Sequence, residues 1–343
     1  MLSIVIPVYN CKDFLADCVR GLLPLEELDC EILLIDDGST DGSGPLCDAL
    51  AADYGCVRCV HQENRGVSAA RNRGIDEARG GLLLFVDADD GLELDALKPL
   101  ILQMRQQPEL DLLVFGMHFD YYRRGQLYRS DQLSLPQPLV LRSEELAEWV
   151  PQLFAANYLS SACNKLLRRE VLDRTGLRFD RSMFLLEDLD FSLRYLVQCD
   201  AACFSEAAVY RYRQPEDEGN AGRRLRRIDR ISHLLEPLDR SFSALALRLE
   251  QPADAYDGLL LDIFLNLARM KIAVSDRKAI RSICEDFSGW AASRSLPEEL
   301  LRGDLPARLL SGSVSRLRLS AIYRGYRHRL AKSVKYVLSR LRR

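Results

Sequence analysis

The chain alternates short, almost wholly apolar segments with stretches of helical periodicity. "SIVIPVY" (3–9), "CEILLIDD" (30–37), residues 57–61 and "GLLLFVDADD" (81–90) read as strands. Between the first two, Phe14, Leu15, Cys18, Val19 and Leu22 fall on a helical period over 12–23, and helices are expected over 43–54 and 67–79. A strand without polar alternation must be covered on both faces. The pattern therefore predicts an α/β fold, a mostly parallel central sheet with helices on both sides. Residues 93–107 continue it as a helix and "DLLVFGMHF" (111–119) as a strand. From 120 the pattern loosens into a "YYRRGQLY" loop, helices near 142–155 and 164–175, a helix beginning with acids at 187 and a strand around 207–213. Beyond about 221 everything reads as helix, which puts a soft boundary at "RQPEDEGNAG" (213–222).

Ligands of open α/β sheets bind outside the carboxyl ends of the strands. Two acidic strand ends, Asp36–Asp37 and Asp87–Ala88–Asp89–Asp90, fall there. The turn after the first strand, "PVYNCKD", has no glycine and there is no P-loop, so a glycine cradle for phosphates is not expected. Carboxylates two residues apart on an extended segment face one way, so Asp87 and Asp89 suit a hard divalent cation bridging protein and diphosphate. Asp36 or Asp37 can accept from a base N–H while the other caps the turn; equally, both can cap it. Arg71, beside the small Ala69 and Ala70, is a candidate ligand contact, whereas Arg73 reads as solvated. Glu187 and Asp188 open a helix whose stripe of Leu186, Leu189, Leu193, Leu196 and Val197 leaves both acids off the core side. Acids there serve either as a proton acceptor or simply as complement to the helix dipole, and periodicity does not choose.

The net charge of -3 hides an asymmetry: residues 316–343 hold ten Lys or Arg and no acid, leaving about -13 on residues 1–315. An acidic body without a reader fold argues against nucleic acid as partner. In the tail Leu330, Val334, Val337, Leu338 and Leu341 share a helical stripe among basic residues. Such a helix lies on an anionic membrane surface, packs internally or binds a partner. No charged leader or cleavage site precedes the first strand and no apolar run approaches ~18 residues, so the expectation is a cytoplasmic protein, at most peripheral on the inner face of the cell membrane. The ten cysteines are scattered in apolar contexts as reduced thiols are. Cys56–Cys59 has ligand spacing, but without a second pair or suitable histidine it is not expected to hold zinc.

"SIVIPVYN", "EILLIDDGSTDGS", "ENRGVSAARNRGIDEARGGLLLFVDADD" and "NKLLRREVL" followed by "EDLDF" resemble the inverting, nucleotide-sugar-dependent glycosyltransferases of family 2. The resemblance is dense over 2–91, returns over 163–213 and is absent after about 225. It implies a GT-A fold with a Rossmann-like sheet and a helical C-terminal region. The implied domains are a catalytic one over 1–220 (nucleotide-sugar half about 1–118, acceptor half about 119–220) and a helical region over 221–343. It further implies that Pro7, Tyr9 and Asn10 line the base and ribose, that Asp36 or Asp37 holds the base, and that Arg71 lies near the nucleotide. Asp87 and Asp89 match the DxD that binds Mg²⁺ or Mn²⁺ and the donor diphosphate. Asn164 and Lys165 match an "NKL" segment before the acceptor side. Asp188, with Glu187 beside it, matches the "ED" motif whose aspartate is the catalytic base. Leu186 departs from the family, where many members have His or Gly. The implied partners are a nucleotide diphosphate-sugar, UDP-sugar favoured, and a glycan or lipid-linked saccharide acceptor in cell-surface polysaccharide biosynthesis. A sugar-1-phosphate nucleotidyltransferase would need a Gly-rich first loop, and a non-catalytic subunit would be expected to have lost acids that this chain retains.

Overall fold

The computed structural model describes residues 1–214, 228–273, 275, 277–296, 298–301 and 304–310. The tail over 316–343 and most of the expected boundary at 213–222 lie outside the described residues. The chain divides into two compact units, one of Met1–Ser182 with Glu187–Glu216, the other of Met183–Leu186 with the helices that follow.

The first unit begins with the alternation the sequence predicts: β1 (Leu2–Val8), α1 (Lys12–Leu22), a short 3-10 segment (Leu23–Leu28), β2 (Cys30–Asp36), α2 (Ser43–Asp53), β3 (Val57–His61), α3 (Val67–Glu77) and β4 (Leu82–Phe85). It continues with β5 (Gly91–Leu92), α4 (Leu94–Gln106), β6 (Leu112–Arg123), β7 (Gln126–Leu133), β8 (Leu139–Arg142), α5 (Ser143–Ala155), β9 (Lys165–Arg168), α6 (Arg169–Thr175), α7 (Glu187–Leu196) and β10 (Ala201–Gln214). The sheet order is β3-β2-β1-β4-β9-β6-β10-β5, with β7 on β6 and β8 on β10. It is parallel across β3-β2-β1-β4, and β6 and β10 are also parallel to each other. β9 runs antiparallel between β4 and β6, so the sheet is parallel where the sequence alternates and mixed beyond.

The core is the middle of this sheet. Every residue of β2 and β4 is buried, and Ile4, Val5 and Ile6 of β1 have no exposed surface. Each such aliphatic side chain contributes roughly 1.5–3 kcal/mol of burial. Helix α3 lies directly on β1: a Cβ at Gly74 would sit 2.1 Å from Cγ1 of Val5. That approach explains the glycine and sets the position of Arg71 one turn earlier.

Two expectations are corrected. Residues 165–168 are strand, not the start of a helix over 164–175. Leu166 and Leu167 pair with Leu113 and Leu112, and Leu167 and Arg168 with Leu83 and Leu82, so the gap between β4 and β6 overrides local helix preference. The "YYRRGQLY" loop is a hairpin joining β6 and β7, turning at Arg124 (φ 52°) and Gly125 (φ 75°), the conformation of a tight two-residue turn.

In the second unit α8 (Ile231–Arg248), α9 (Asp257–Ala273) and α10 (Arg277–Ser293) are long, followed by the short α11 (Glu298–Leu301) and α12 (Asp304–Leu310). Phe264 lies 4.9 Å from Trp290 and 5.2 Å from Phe287, and Arg294 pairs with Asp239 and Asp257. No helix among the described residues is long and apolar enough to cross a membrane.

Gly74→Ala is expected to overpack the α3–β1 contact and cost about 1–3 kcal/mol. Gly21→Ala, with nothing within 4 Å of its added Cβ, should be neutral or stabilising by up to ~1 kcal/mol. Thermal midpoints of the two variants, moving in opposite directions from the parent or only for Gly74, check this packing.

Candidate active site

The carboxyl ends of β1, β2 and β4 form one edge, and the loops that leave them are tied together by short polar side chains. After β1, Asn10 takes a left-handed conformation (φ 51°) and its Oδ1 accepts from Thr40 N–H at 2.8 Å. Asn10 N–H donates to Ser39 Oγ, Cys11 N–H to Ser43 Oγ and Lys12 N–H to Asp41 Oδ2. These bonds close the β1 and β2 loops on each other. Tyr9 is 52% exposed at this edge, and Pro7 is half-buried opposite Ile35.

Asp36 and Asp37 are both buried, and both brace turns. Asp37 Oδ1 accepts from Gln62 Nε2 (2.7 Å) and Arg65 N–H (2.9 Å), and its Oδ2 from Gly66 N–H (2.8 Å). It thereby shapes the entry to α3. Asp36 Oδ1 accepts from Ser39 N–H, and Oδ2 meets His61 Nδ1 at 2.8 Å. Burial alone would raise the Asp36 carboxyl, but the hydrogen bonds from Ser39 and His61 outweigh it and hold it below the usual range.

The centre of the edge is Arg71. Its Nη1 donates to Asp188 Oδ1 at 2.6 Å and its Nη2 to Asp87 Oδ1 at 3.0 Å. Only 3% of Arg71 is exposed, its guanidinium lies 5.4 Å from the Phe179 ring centre, and Nη2 is 4.0 Å from Cys163 Sγ. Its Nε, buried, has no partner. Burial would lower its titration, but the charges of Asp188 and then Asp87 dominate and push it well above the ordinary value. The bridged carboxylates come from the end of β4 and the start of α7, so one guanidinium joins the two motifs. Phe179 stacks on Phe191 of α7 (3.9 Å) and meets Phe85 of β4 edge-on (5.3 Å), an aromatic floor beneath the pair.

Asp188 is held on its other side too: Oδ2 accepts from Ala162 N–H at 3.2 Å. The 158–164 segment that supplies this donor is pinned by Lys165. Fully buried, its ammonium donates to the carbonyls of Tyr158 (2.9 Å) and Ser161 and to Asn164 Oδ1 (2.8 Å). Burial lowers the Lys165 titration to about 7, opposed by the Asp188 charge. Asn164 Nδ2 donates to the Phe115 carbonyl of β6. Glu187, expected off the core side with Asp188, is instead buried, and Asp188 is the acid that hydrogen-bonds Arg71. Leu186, immediately before the pair, holds φ 66°, which costs a side-chain-bearing residue about 1 kcal/mol or more.

Asp89 remains reachable by solvent, yet the crevice walls and then the Asp87 charge push its carboxyl above the ordinary range. Asp90 is buried and raised further, to about 8, by desolvation and by Asp87 and Asp89. Its role is structural. It accepts from Tyr210 Oη (2.6 Å) and Arg213 N–H (2.7 Å), while Tyr210 Oη accepts from Asp87 N–H (3.1 Å). Neither Tyr210 nor Cys163 is legible in the sequence as a site residue. Tyr210 is one of several aromatics in an alternating strand, and nothing local marks Cys163. Arg211 is committed to Glu93 and Asp120, whereas the Arg213 guanidinium lies 3.8 Å from the Tyr122 ring centre and its charge reaches Asp89.

A mixed donor set lies at the neighbouring strand end. Asp48, Cys59 and His61 bring a carboxylate oxygen, a sulfur and an imidazole nitrogen within 4.8 Å of one another. The sequence offers Cys59 no obvious histidine partner. The structure supplies His61, two residues on, and an acid from α2, while Cys56 is not among the set.

Comparison with known proteins places these elements. The family model described as glycosyl transferase family 2 matches residues 3–176. The uncharacterized glycosyltransferase EpsJ of Bacillus subtilis (strain 168) is 31% identical over 214 residues, 62% of this chain and 61% of that protein. Glycosyltransferase GlyG of Streptococcus pneumoniae serotype 4 is 31% identical over 194 residues, 52% of this chain and 62% of that protein. The chain thus spans about three fifths of the length of these curated relatives. Among solved structures, S. aureus TarS 1–349 in complex with UDP-GlcNAc superposes with a TM-score of 0.67 at 16% identity, covering 94% of this chain and 90% of that one. A mannosyltransferase from Pyrobaculum calidifontis in complex with GDP-Man and Mn²⁺ gives 0.53 at 17% identity, covering 98% and 84%. At these identities the likeness is one of fold, a GT-A-like α/β architecture.

Removing Arg71 would leave the Asp87 and Asp188 carboxylates facing each other unpaired. Arg71→Met is expected to cost about 3 kcal/mol, and Arg71→Lys less, because an ammonium keeps the charge without the fork. Urea denaturation of the three proteins measures the difference.

Proposed function

Since the chain belongs to glycosyl transferase family 2, we propose that it is an inverting, metal-dependent glycosyltransferase using a nucleotide diphosphate-sugar. A UDP-sugar is the favoured donor and a glycan or lipid-linked hydroxyl the acceptor, in cell-surface polysaccharide biosynthesis. The observation that carries this reading is the Arg71 bridge. It supports placing a proton-accepting carboxylate, Asp188, and a cation-binding carboxylate, Asp87, on opposite sides of one reaction centre.

Inverting transfer is one in-line displacement. The acceptor oxygen bonds to the anomeric carbon as the carbon–oxygen bond to the diphosphate breaks, the bonding pair leaving with the phosphate oxygen. The acceptor's proton passes to Asp188. With Oδ1 on Arg71 and Oδ2 on Ala162 N–H, the carboxylate is fixed in orientation before substrate arrives, which lowers the entropic cost of reaction. Lys165 and Asn164 maintain that orientation by pinning the 158–164 segment. Glu187, buried beside Asp188, adds to the negative charge around the Arg71 guanidinium.

Asp87 and Asp89 suit a hard divalent cation because they are oxygen donors two residues apart at a strand end, where burial and then the Asp87 charge already raise Asp89. They would hold Mg²⁺ or Mn²⁺, which supplies positive charge beside the leaving diphosphate. Arg213, its charge already felt at Asp89, is positioned to face the same phosphates. Tyr9, Pro7 and Asn10 border the donor's base and ribose, and Asp36 or Asp37 receives the base. Both acids already brace turns, so a base contact would be made by an oxygen that also keeps a partner, a backbone N–H on either Asp37 oxygen or on Asp36 Oδ1, and His61 on Asp36 Oδ2.

The remaining domain and surface assignments follow the same reading: a catalytic region over about 1–220 and a helical region over 221–343. The ten basic residues of 316–343 attach the protein to an anionic leaflet where lipid-linked acceptors reside.

The test is a screen of UDP-, GDP- and dTDP-sugars with Mn²⁺ or Mg²⁺, following nucleoside diphosphate release. Turnover should require the cation, and Asp188→Asn should lower kcat by ~10²-fold or more with donor binding retained. Full turnover by Asp188→Asn overturns the base assignment, and no donor binding by any of these sugars overturns the activity. Flotation with anionic liposomes should be strong for the full chain and lost on truncation at 315; equal flotation removes the membrane assignment.

A further inference from the structure

A second chemistry lies at the end of β3, beside β2 and three strands from the Asp87/Asp89 strand end. His61 ends β3 directly opposite Asp36 in the sheet register, and its Nδ1 meets the Asp36 carboxylate at 2.8 Å. The ring therefore turns Nε2 outward, where it finds Asp48 Oδ1 of α2 at 2.9 Å and Cys59 Sγ at 3.4 Å. Cys59 and His61, two apart on β3, share a face of the sheet, and α2 brings Asp48 to the same face.

We propose that Asp48, Cys59 and His61 form a Zn²⁺ site distinct from the Asp87/Asp89 site, with Asp36 as the partner that orients its histidine. The donor atoms lie within 4.8 Å of one another. Zinc–ligand bonds of ~2.0–2.3 Å put neighbouring ligand atoms about 3.3–3.8 Å apart in a tetrahedron. The Cys59–His61 separation already matches that, and the exposed Asp48 opens from Nε2 by a few tenths of an ångström while starting no more than 4.8 Å from Cys59, a shift that side-chain rotation supplies. Sulfur, imidazole and carboxylate together select a borderline-soft cation over Mg²⁺ or Mn²⁺, which the all-oxygen site prefers.

One neighbour matches what such a site requires around its ligands. A buried carboxylate on the far ring nitrogen is the usual partner of a metal-bound histidine, fixing the tautomer that leaves Nε2 free. Asp36 is that carboxylate, buried and braced by Ser39 N–H. On binding, the ion displaces protons from Nε2 and from Cys59 into solvent. The fourth position stays open to water, since both His61 and Asp48 are solvent-exposed. Zinc would then clamp α2 to β3 beneath Asp36, one of the two acids on the base side of the donor site. The competing arrangement is an imidazolium held between Asp36 and Asp48 with no metal, consistent with a His61 titration raised to about 9 by Asp48 and Asp36.

Co²⁺ is the probe, because it reports thiolate ligation optically. The full-length protein, stripped with chelator, should bind one Co²⁺ per chain with near-ultraviolet thiolate charge transfer and intense tetrahedral visible bands. One equivalent of Zn²⁺ should abolish both. Cys59→Ser should lose the charge-transfer band, His61→Ala should weaken binding ~100-fold and Asp36→Asn ~10-fold. Asp48→Asn, at an exposed side chain that leaves the core undisturbed, should also weaken binding. Asp89→Ala should leave the spectrum unchanged. Co²⁺ bound without a thiolate band, a band that survives Cys59→Ser, or no saturable binding to a protein with a native circular dichroism spectrum overturns the proposal. None of these readouts requires a sugar donor, so the zinc site and the transferase activity fail or succeed separately.

Discussion

A single buried guanidinium holds the candidate site together. Arg71 carries its charge out of water and is stabilised only because Asp87 and Asp188 meet it there. Each carboxylate in turn is attached to a different part of the chain, 16 and 117 residues away. Burying an unpaired charge costs several kcal/mol, so removing Arg71 takes the cation from both carboxylates at once, while removing either carboxylate leaves Arg71 with a single carboxylate partner. Packing supports the electrostatics. The missing Cβ of Gly74 lets α3 close onto β1, and the stacked Phe179 and Phe191 close the floor beneath.

Around that bridge the edge is crowded with negative charge. Asp87, Asp89 and Asp90 stand close together at the strand end, and the titrations of Asp89 and Asp90 rise first through burial and then through the neighbouring carboxylates. Part of that crowding is absorbed internally. Asp90 is engaged by Tyr210 and the Arg213 amide, which register β10 against the β4 loop. What remains, at Asp87 and Asp89, faces the crevice. The same double use recurs at β2, where Asp36 and Asp37 shape the loops that any ligand would meet. Structural and chemical duties therefore fall on the same side chains.

The sequence resolves some of this and not the rest. Unbroken apolar runs over β1, β2 and β4 have no other use than a doubly covered sheet, so the parallel half, and the acids at its carboxyl edge, were legible. Residues 165–168 were not, because "KLLR" suits either a helix or a strand until β4 and β6 leave a strand-width gap. Helical periodicity left Glu187 and Asp188 equivalent; burial of one and the Arg71 contact of the other separate them. Tyr210, Cys163 and the pairing of Asp48 with His61 carry no local signal at all.

By itself, then, the sequence determined the fold class, the acidic strand ends and the motif order that marks the family. These depend on periodicity and short-range spacing, which the chain carries in one dimension. Only the tertiary structure decided which acids share a guanidinium, which brace turns, and that a cysteine on β3 meets a histidine and an acid from α2. The guanidinium bridge joins residues 16 and 117 positions apart, and even the short-range pairings depend on backbone geometry that the sheet and α2 impose, so their energies arise only where folding excludes water and fixes the partners together.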